Sequence, residues 1–557
     1  MRVCEELCGT EGHVVRVLWE SNPEIAARVQ SFGATYVGLS PNDFDSLLAA
    51  GVVEAESIMT LSEDDRLNLQ IALKARDLNP KIRLVLRQFN RTLGRKLEQN
   101  LPNCSSVSLS SHAAATYAGA AIDPTCFYAL QFPDIDGPLV GFSARLAADF
   151  GIAGLSGEAA EAKLGARVVG LHGLPLYDQQ QVFAANDEVV AFGTIHALET
   201  SVKRRDFHEE DVTFKQKWEH QMRRFRRAMV RVDPILRKLL IVASLIFLFS
   251  SVYFTFALKL HPWEAIYFVT TTMTTVGYGD ISLADKSAMA KLFGMVMMVS
   301  GVAISGILIG FVSSALTRAQ WVSMQGLRKI DAHDHVIVCG AGNVGTRVVE
   351  YLLDLHQRVV VLDTNPDPLM VEQARDLNFD VLTGDATREE TLDLCSVRRA
   401  RCLIALTPSD TANLEVALGA RARSSELPVV LRALDPSFAR SIARQFQITK
   451  TFSDNELAAP AFAGLSRFPG TRGRIAFTEE DFTVGERQQG EVPAPPPANA
   501  CVPLCVFRKG ALKLIKDFAE MEPYDKLLFI VPLSQFRGGK RRQQKNGAHS
   551  VTPAEAK

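Results

Sequence analysis

Two long apolar segments interrupt an otherwise mixed pattern of hydrophobic and polar positions. Residues 239–258 form twenty positions without a charged side chain, and residues 292–316 form twenty-five more. A bilayer core about 30 Å thick is spanned by about 20 helical residues, so each segment is long enough to cross it. Buried helices of soluble proteins seldom run this far without a charge. The pattern therefore predicts two membrane-spanning helices.

Basic residues lie unequally around these segments. Residues 203–238 contain twelve Lys and Arg, and residues 318–329 contain three more. The stretch between the segments, residues 259–291, contains three lysines in 33 positions. Because Lys and Arg are enriched in cytoplasmic segments, both termini are expected in the cytoplasm. We therefore expect a multi-pass protein of the cell membrane, in contact with the lipid bilayer.

Aromatic and methionine side chains recur at helical spacing just before the first apolar segment. The stripe consists of Phe214, Trp218, Met222, Phe225 and Met229. Arginines occupy much of the remaining surface, which favours a basic amphipathic helix lying on the inner leaflet. A voltage sensor is the alternative interpretation of an arginine cluster, but no apolar span surrounds these arginines.

The overall composition excludes several classes of protein. The 557 residues include 61 Lys and Arg, 62 Asp and Glu, and 47% hydrophobic residues. At about 150 residues per domain, the length predicts three to four units. Balanced charge argues against a nucleic-acid partner, and the hydrophobic content argues against a disordered chain. The nine cysteines include no CxxC pair, which favours a reducing cytosol over a disulfide framework.

The segment between the two spans does not have the composition of a plain polar loop. Pro262 suits the first turn of a short helix, which we expect to end near Thr272. That helix is too short to span the membrane, so it would be a re-entrant half-helix. Irregular backbone at membrane depth is tolerated where protein buries it or where it lines a water-filled pore.

The six residues after this helix resemble the selectivity filter of potassium channels. They are Thr275, Val276, Gly277, Tyr278, Gly279 and Asp280. Glycines permit backbone conformations that are closed to other residues, so successive carbonyls can face one axis. The resemblance implies that K⁺ is bound by the first four of these residues, and that four chains close the ring. In some relatives a glutamate four residues before the filter threonine braces the filter, and Thr271 stands there instead.

Glycines also recur in the second apolar segment, at Gly301, Gly306 and Gly310. Glycine in a membrane helix serves either close helix packing or bending. Gly301 lies close to the position where two-span channels have their gating hinge, although two residues later. Packing and a gating hinge at Gly301 both remain open from the sequence.

A dinucleotide-binding pattern follows the second apolar segment. A short apolar strand from His335 leads into Gly340, Ala341, Gly342, Asn343, Val344 and Gly345, and a helical stretch follows. A second strand ends at Asp363, eighteen residues after the last glycine. This spacing predicts phosphates at the helix N-terminus and a ribose hydroxyl on the acid. Thr364 follows the acid, where an arginine would favour a 2′-phosphate, so we expect NAD(H) over NADP.

Residues 334–460 resemble the domains that regulate potassium conductance, known as RCK or TrkA-N domains. The resemblance places Asp385, in the sequence GDA, and Arg432, in LRA, beside the nucleotide pocket. It also implies that the ligand is NAD(H), with ADP, ATP or Ca²⁺ as alternatives. The acids Asp385, Glu389 and Glu390 could be calcium ligands or a solvated face, and we favour the solvated face.

The first 200 residues read as a second copy of this domain. Asn22–Pro23 matches Asn365–Pro366, and Arg87 matches Arg432. The copy has no glycine-rich turn, and residues 38–40 read Gly-Leu-Ser where the other copy has GDA. Either the start has been set too far downstream, which we favour, or this copy has lost its nucleotide. We expect the copy as given to bind nucleotide poorly.

These patterns predict a multidomain α/β protein with added membrane α-helices: Rossmann-like regulatory domains flanking a two-helix pore module with a re-entrant pore helix and filter. The expected boundaries are 1–130 (Rossmann-like RCK domain without its first strand), 131–202 (small TrkA-C-like subdomain), 203–235 (basic amphipathic helix), 236–320 (pore), 333–460 (second RCK domain), 461–536 (second TrkA-C-like subdomain) and 537–557 (disordered basic tail).

The leading functional hypothesis is a potassium channel gated by a cytosolic ligand. It would be a homotetramer with a gating ring of eight RCK domains. One alternative is a membrane-anchored, NAD-binding regulatory subunit of a potassium uptake system. A membrane-anchored NAD-dependent oxidoreductase is less consistent with the sequence, because the segments after each Rossmann unit are short and contain no catalytic constellation. We therefore expect no enzymatic activity.

Overall fold

The computed structural model describes residues 1–9, 14–132, 137–172, 174–175, 180–199, 234–324, 330–446, 448, 450–466, 468–476, 481–488 and 501–533. The chain divides into two compact units, one formed by residues 1–205 together with 329–557 and the other by residues 206–328. The predicted amphipathic helix up to residue 233, the Pro-rich stretch 492–498 and the basic tail lie outside the described residues.

The described residues of the first lobe, 1–9 and 14–122, form five short parallel strands and six helices. The strands are β1 (Arg16–Trp19), β2 (Thr35–Gly38), β3 (Ser57–Thr60), β4 (Arg83–Arg87) and β5 (Cys104–Val107). The helices are α1 (Arg2–Cys8), α2 (Pro23–Ser31), α3 (Phe44–Ala49), α4 (Asp65–Leu78), α5 (Arg91–Asn100) and α6 (Leu109–Ile122). The strands form two separate parallel sheets, β1–β2 and β3–β4–β5.

A small antiparallel subdomain follows the first lobe. Its strands are β6 (Cys126–Gln131), β7 (Leu139–Leu146), β8 (Arg167–Leu171), β9 (Leu174–Pro175) and β10 (Glu188–Thr194), in the order β6-β7-β10-β8-β9. Its helices are α7 (Gly157–Leu164) and α8 (Ile195–Glu199).

The described part of the second unit, residues 234–324, contains three helices: α9 (Pro234–Leu258), α10 (Pro262–Met273) and α11 (Ala288–Met324). Two of them, α9 and α11, are long and apolar enough to cross a membrane. The three helices pack through one apolar cluster that includes Phe254, Phe268 and Met297. The short helix α10 ends one residue later than the sequence predicts.

The second lobe is a doubly wound α/β domain. Its strands are β11 (His335–Cys339), β12 (Val359–Asp363), β13 (Asp380–Thr383), β14 (Ala400–Ala405), β15 (Val429–Arg432) and β16 (Lys450–Phe452). Its helices are α12 (Asn343–Asp354), α13 (Pro368–Asp376), α14 (Glu389–Leu394), α15 (Asp410–Arg423), α16 (Pro436–Phe446) and α17 (Asp454–Leu465). The six strands are parallel, in the order β13-β12-β11-β14-β15-β16.

A second small antiparallel subdomain closes the chain. Its strands are β17 (Thr471–Ala476), β18 (Asp481–Gln488), β19 (Val502–Arg508), β20 (Ala511–Leu514) and β21 (Lys526–Pro532), in the order β17-β18-β21-β19-β20. Its inner face shares an apolar cluster with the first small subdomain, including Phe142, Phe192 and Phe482. The two small subdomains therefore bury a common core.

The two lobes repeat the same hydrogen-bond network. The Asn413 side-chain amide donates to the Arg432 carbonyl at 3.0 Å, and the Asn68 amide donates to the Arg87 carbonyl at 2.9 Å. Asn68 and Arg87 of the first lobe precede their counterparts, Asn413 and Arg432, by 345 positions each. The helix that crosses between lobes also repeats, since α6 packs on α12 and α17 packs on α1. The lobes thus face each other around a pseudo-twofold axis.

The repeat differs at the centre of the sheet. In the second lobe the fully buried β11 lies between β12 and β14. Within the described residues of the first lobe, no strand joins the equivalent β1 and β3, and both are partly exposed. The described strands of the first lobe therefore form two sheets where those of the second lobe form one.

Candidate functional site

The pore loop is fastened to the end of α10. His261 precedes the helix, and its backbone N–H donates to the Glu264 carboxylate at 3.2 Å, while Pro262 occupies the first turn. Beyond the helix, the N–H groups of Val276 and Gly277 both donate to the Thr271 carbonyl, at 2.9 and 3.0 Å. A backbone carbonyl of Thr271 therefore holds the start of the loop.

The backbone of the loop alternates in handedness. Thr275, Gly277 and Gly279 have φ angles of +64°, +46° and +81°, whereas Val276 and Tyr278 have negative φ. Glycine adopts positive φ readily, but a β-branched residue does so only where its surroundings impose it. Such a conformation costs about 1–3 kcal/mol and is concentrated at functional sites. An alternating backbone of this kind suits a row of carbonyls facing one axis.

The side chains near the end of the loop have different surroundings: one contacts α10, and others are exposed. The Tyr267 side chain on α10 hydrogen-bonds to Asp280. Tyr278 is 72% exposed in the single chain, and Val276 is also exposed. The loop is thus tied to its own short helix on one side and open on the other.

Gly301 lies within the continuous helix α11 and contacts the end of α10. A Cβ at Gly301 would lie 2.5 Å from the carbonyl oxygen of Met273 and 2.8 Å from its Cα. No heavy atom lies within 4 Å of the Cβ position at Gly306 or Gly310. This contact supports the packing interpretation of Gly301, while its role as a gating hinge stays a prediction.

The glycine-rich loop joins β11 to α12 and needs glycine at two positions. Gly340 has φ +95°, which L-residues rarely adopt. A Cβ on Gly345 would lie 1.9 Å from the Gly340 carbonyl oxygen, so only glycine lets the helix come this close. Gly342 is different, because its Cβ position faces open space. It is the N-cap residue of α12, and no side chain caps the helix there.

The helix N-terminus beside Gly342 is therefore available to an anion, since its N–H groups carry partial positive charge. Asn343 is exposed at this end, whereas Val344 is buried in the core. Of these two residues, only Asn343 can contact a ligand with its side chain, and Val344 serves the packing of the lobe.

Asp363 ends β12 beside the loop. Its Oδ2 accepts the Ala341 N–H at 2.6 Å, and its Oδ1 accepts the Asn365 N–H at 2.8 Å. A carboxylate has further lone pairs, so Asp363 can orient the loop and still accept from a ribose hydroxyl. The Asp363 carbonyl accepts the Gly384 N–H at 2.8 Å, which places Asp385 at the same sheet edge.

Asp385 is partly exposed, and its own turn engages it. Hydrogen bonds from the Thr387 hydroxyl and N–H, at 2.7 and 2.9 Å, hold the pKa of the Asp385 carboxyl below its usual range. Arg388 lies 3.6 Å away. Asp385 therefore stays ionised at the rim.

Arg432 ends β15, two strands from β11 on the same edge. Its Nη1 donates to the Leu406 carbonyl at 3.4 Å, and its Nη2 lies 2.7 Å from Oδ2 of Asp454. Asp454 is only 3% exposed and also contacts Tyr117 of the first lobe. Sequence reasoning missed both Asp454, the partner of Arg432, and Tyr117, the partner of Asp454. The acid that follows Ser453 at the start of α17 was a signal, but the tyrosine lies hundreds of residues away.

Within the described residues, no group of three His, Cys, Asp or Glu side chains is placed to hold a metal ion. The acids of α14 pair with a base instead, because Arg423 lies 2.8 Å from Glu389 and 3.2 Å from Asp393.

The sequence profile of the TrkA-N domain family matches residues 1–102 and 336–454, and that of the ion channel family matches residues 241–318. The first match covers both repeats, and the second covers the helical unit. The chain thus combines TrkA-N domains on either side with an ion-channel segment, which confirms the predicted fold class.

Individual potassium channel proteins match part of the chain. The chain is 28% identical over 186 residues to "Probable potassium channel protein 2" of Methanocaldococcus jannaschii, covering 32% of this chain and 54% of that protein. It is 31% identical over 175 residues to "Voltage-gated potassium channel Kch" of Escherichia coli, covering 31% and 42%. The chain therefore spans about half the length of these curated relatives. The solved structure "GsuK channel bound to NAD" aligns over 96% of this chain and 75% of that one, at 15% identity and a TM-score of 0.48.

The matches bear out the resemblance that the filter and the glycine-rich loop suggest. The chain is similar to two-span potassium channels, and its soluble lobes are of the RCK type.

Proposed function

We propose that the protein is a potassium-selective channel gated by a nucleotide bound in the second lobe. The observation that carries the proposal is the alternating φ of Thr275, Gly277 and Gly279, in a loop between two helices long enough to cross a membrane. The carbonyls of residues 275–278, with the Thr275 hydroxyl, would replace the hydration shell of K⁺.

One chain supplies a quarter of the proposed filter, so we propose a homotetramer. The exposure of Tyr278 and of apolar side chains along α9 and α11 in the single chain is consistent with neighbouring chains or lipid covering them. Four chains would bring eight TrkA-N domains into one gating ring. The excess of basic residues before the first span and after the second supports a cytoplasmic position for both lobes of a cell-membrane protein.

For the ligand we propose NAD(H), with ADP and ATP as alternatives that share its phosphates. The residues fit such a group: Gly342 leaves room for phosphate, the uncapped start of α12 favours negative charge, and Asp363 can accept from a ribose hydroxyl. Bound there, the nucleotide supplies no chemistry. It supplies a difference in binding free energy between lobe conformations, which is what gating requires. Calcium remains an alternative with less support, because the acids of α14 pair with Arg423.

The described part of the first lobe lacks the strand and turn that build the phosphate site. We therefore assign it no nucleotide, and we assign the intact site to the second lobe.

Potassium flux through the purified chain in liposomes tests the proposal. We expect K⁺-selective flux that changes on addition of NADH, ADP or ATP, and no NADH oxidation. A regulatory subunit of an uptake system would bind nucleotide but conduct nothing alone. Absence of flux with NADH, ADP, ATP and Ca²⁺ would therefore reject the channel in favour of that alternative.

Calorimetry tests the ligand separately. Replacing Asp363 by alanine should weaken NADH binding, because the ribose acceptor and the brace of the Ala341 N–H are both lost. Unchanged affinity would reject this assignment, whatever the flux experiment shows.

A further inference from the structure

A short series of buried polar groups joins the first lobe to the candidate nucleotide site. Tyr117 in α6 is fully buried. Its hydroxyl lies 3.0 Å from Oδ1 of Asp454 and 3.1 Å from the Phe452 carbonyl oxygen, so its single proton is shared between these two acceptors. The other carboxylate oxygen of Asp454 faces Arg432 at 2.7 Å. One carboxylate therefore contacts both a tyrosine of one lobe and an arginine of the other.

The contacts continue from Arg432 to the glycine-rich loop. The guanidinium donates to the Leu406 carbonyl, and the Leu406 N–H donates to the Cys339 carbonyl at 2.8 Å. A Cβ on Gly340 would lie 3.0 Å from the Leu406 carbonyl carbon. A Cβ on Gly345 would lie 3.8 Å from the Leu406 side chain. Leu406 thus links the arginine directly to the turn that would hold phosphate.

The internal repeat supplies a control within the same chain. At the spacing of 345 positions that relates Asn68 and Arg87 to Asn413 and Arg432, Phe462 is the counterpart of Tyr117, and Leu109 is the counterpart of Asp454. Phe462 and Leu109 pack in one apolar cluster. The polar pair therefore occurs at the lobe with the glycine-rich loop. An apolar pair replaces it at the lobe whose described residues lack that loop, so packing of the crossing helices does not require the polar groups.

Burial makes these groups dependent on each other. A carboxylate removed from water is costly unless charged or hydrogen-bonding partners surround it. Burial raises the pKa of Asp454, and the Arg432 charge and the hydrogen bond from Tyr117 oppose that rise. If Arg432 turns toward an anionic ligand, Asp454 must rely more on Tyr117, and α6 carries that hydroxyl.

We propose that Asp454 and Tyr117 are positioning residues that couple nucleotide occupancy at the glycine-rich loop to the placement of the first lobe. The inference rests on the proposed nucleotide site and specifies its regulation. A ligand that draws on Arg432 shortens or strengthens the Tyr117–Asp454 contact and shifts the crossing helix α6. By linkage, the placement of α6 changes nucleotide affinity by the same factor.

The matched variants are Tyr117→Phe and Tyr128→Phe. Tyr128 is also buried, and its hydroxyl joins the two small subdomains by donating to the Arg472 carbonyl at 3.0 Å. It also lies 3.3 Å from Nε2 of His112 on α6, but it has no part in the contacts to Arg432. Each variant removes one buried hydroxyl and leaves the aromatic ring, and phenylalanine already stands at position 462, the counterpart of Tyr117.

Two readouts on the full purified chain test the coupling: NADH affinity by calorimetry, and the NADH-induced change in hydrogen exchange of residues 109–122. For Tyr117→Phe we expect affinity to fall about three- to tenfold, the range given by the net value of one hydrogen bond. We also expect the ligand-induced protection of α6 to disappear. Tyr128→Phe should retain both within about twofold.

Tyr117→Phe with unchanged affinity and protection would overturn the coupling, and so would equal losses in both variants. Neither readout measures ion flux, so the coupling can be tested even in a chain that binds NADH and conducts no ions. If the wild-type chain binds neither NADH, ADP nor ATP, the nucleotide site and this coupling both fall.

Discussion

Gly301 of α11 lies against the Met273 carbonyl, two residues before Thr275, the first residue of the proposed filter. A Cβ there would sit 2.5 Å from that oxygen, closer than side-chain carbons approach backbone. The second spanning helix therefore contacts the end of the short helix where the loop begins. A movement of α11 at this point would therefore displace the residue at which the proposed filter loop begins.

Alanine at Gly301 should destabilise the pore unit, because the added methyl forces α11 away from α10. Overpacking of this kind costs about 1–3 kcal/mol. Potassium flux and thermal unfolding should both fall, and K⁺ over Na⁺ selectivity should weaken. Gly306→Ala is the matched control, since its Cβ position is open, and it should change neither. If Gly301→Ala alters only the response to ligand, with stability and selectivity intact, Gly301 acts as a hinge.

Gly342 and Gly345 should respond differently to the same substitution. Gly345→Ala places a methyl 1.9 Å from the Gly340 carbonyl oxygen, so the second lobe should lose about 1–3 kcal/mol of unfolding free energy. Gly342→Ala meets no protein atom, so folding should be unchanged while nucleotide affinity falls, because the methyl occupies the space left for phosphate. Denaturant unfolding and calorimetry separate the two effects. Equal nucleotide affinity in Gly342→Ala and wild type would place the phosphates elsewhere.

His335 should make the second lobe sensitive to mild acid. It is fully buried at the start of β11, with Nε2 2.8 Å from the Cys395 carbonyl. Burial lowers the pKa of His335 to about 4, the Cys395 carbonyl opposes that shift, and Arg358, Arg399 and His333 add to it.

The unfolded histidine titrates near pH 6.5, so it binds a proton between about pH 6.5 and 4 while the folded one does not. The contribution of neutral His335 to the free energy of unfolding is thus fully present above about pH 6.5, and it is lost as the pH drops toward 4. His335→Gln removes the titration but keeps a donor for the carbonyl. Unfolding of the full chain at pH 7.5 and 5 should show a smaller loss for the variant. Equal losses would assign the acid sensitivity to other groups.

The number of nucleotides bound per chain should be one. The described first lobe offers neither the glycine-rich turn nor the central strand, and the second lobe offers both. Calorimetric titration with NADH should therefore saturate at one site for each polypeptide. A value of two would require a phosphate site in the first lobe that is built differently.

Local chemistry explains which features could be predicted from the sequence. The two membrane helices could be predicted because each apolar segment is long and contains no charged residue. The short helix could be predicted from Pro262, and the loop from its glycines. The nucleotide site follows from the spacing of Gly340, Gly345 and Asp363, because a strand, a tight turn and a helix are all local. The predicted domain boundaries remain predictions.

Contacts between distant segments could not be predicted in this way. Tyr117 and Asp454 are 337 residues apart and meet only because two repeats pack around an axis. No periodicity marks Tyr117, which lies on a helix buried almost all round. Gly301 could be read as a hinge or a packing site, and only its distance to Met273 favours packing. Val344 fits the binding pattern, but its side chain is buried in the core from the first turn of α12.

Potassium flux in liposomes for the wild-type chain and Gly277→Asp, read with nucleotide binding in the same preparations, tests the central claim most directly. The loop requires a positive φ at position 277, which glycine adopts readily because it has no side chain. Aspartate there should disturb the backbone carbonyls of the loop, so the variant should lose K⁺ flux. Its NADH affinity should match that of wild type, because the site lies in the other unit. Flux that persists in Gly277→Asp would contradict a filter at residues 275–280.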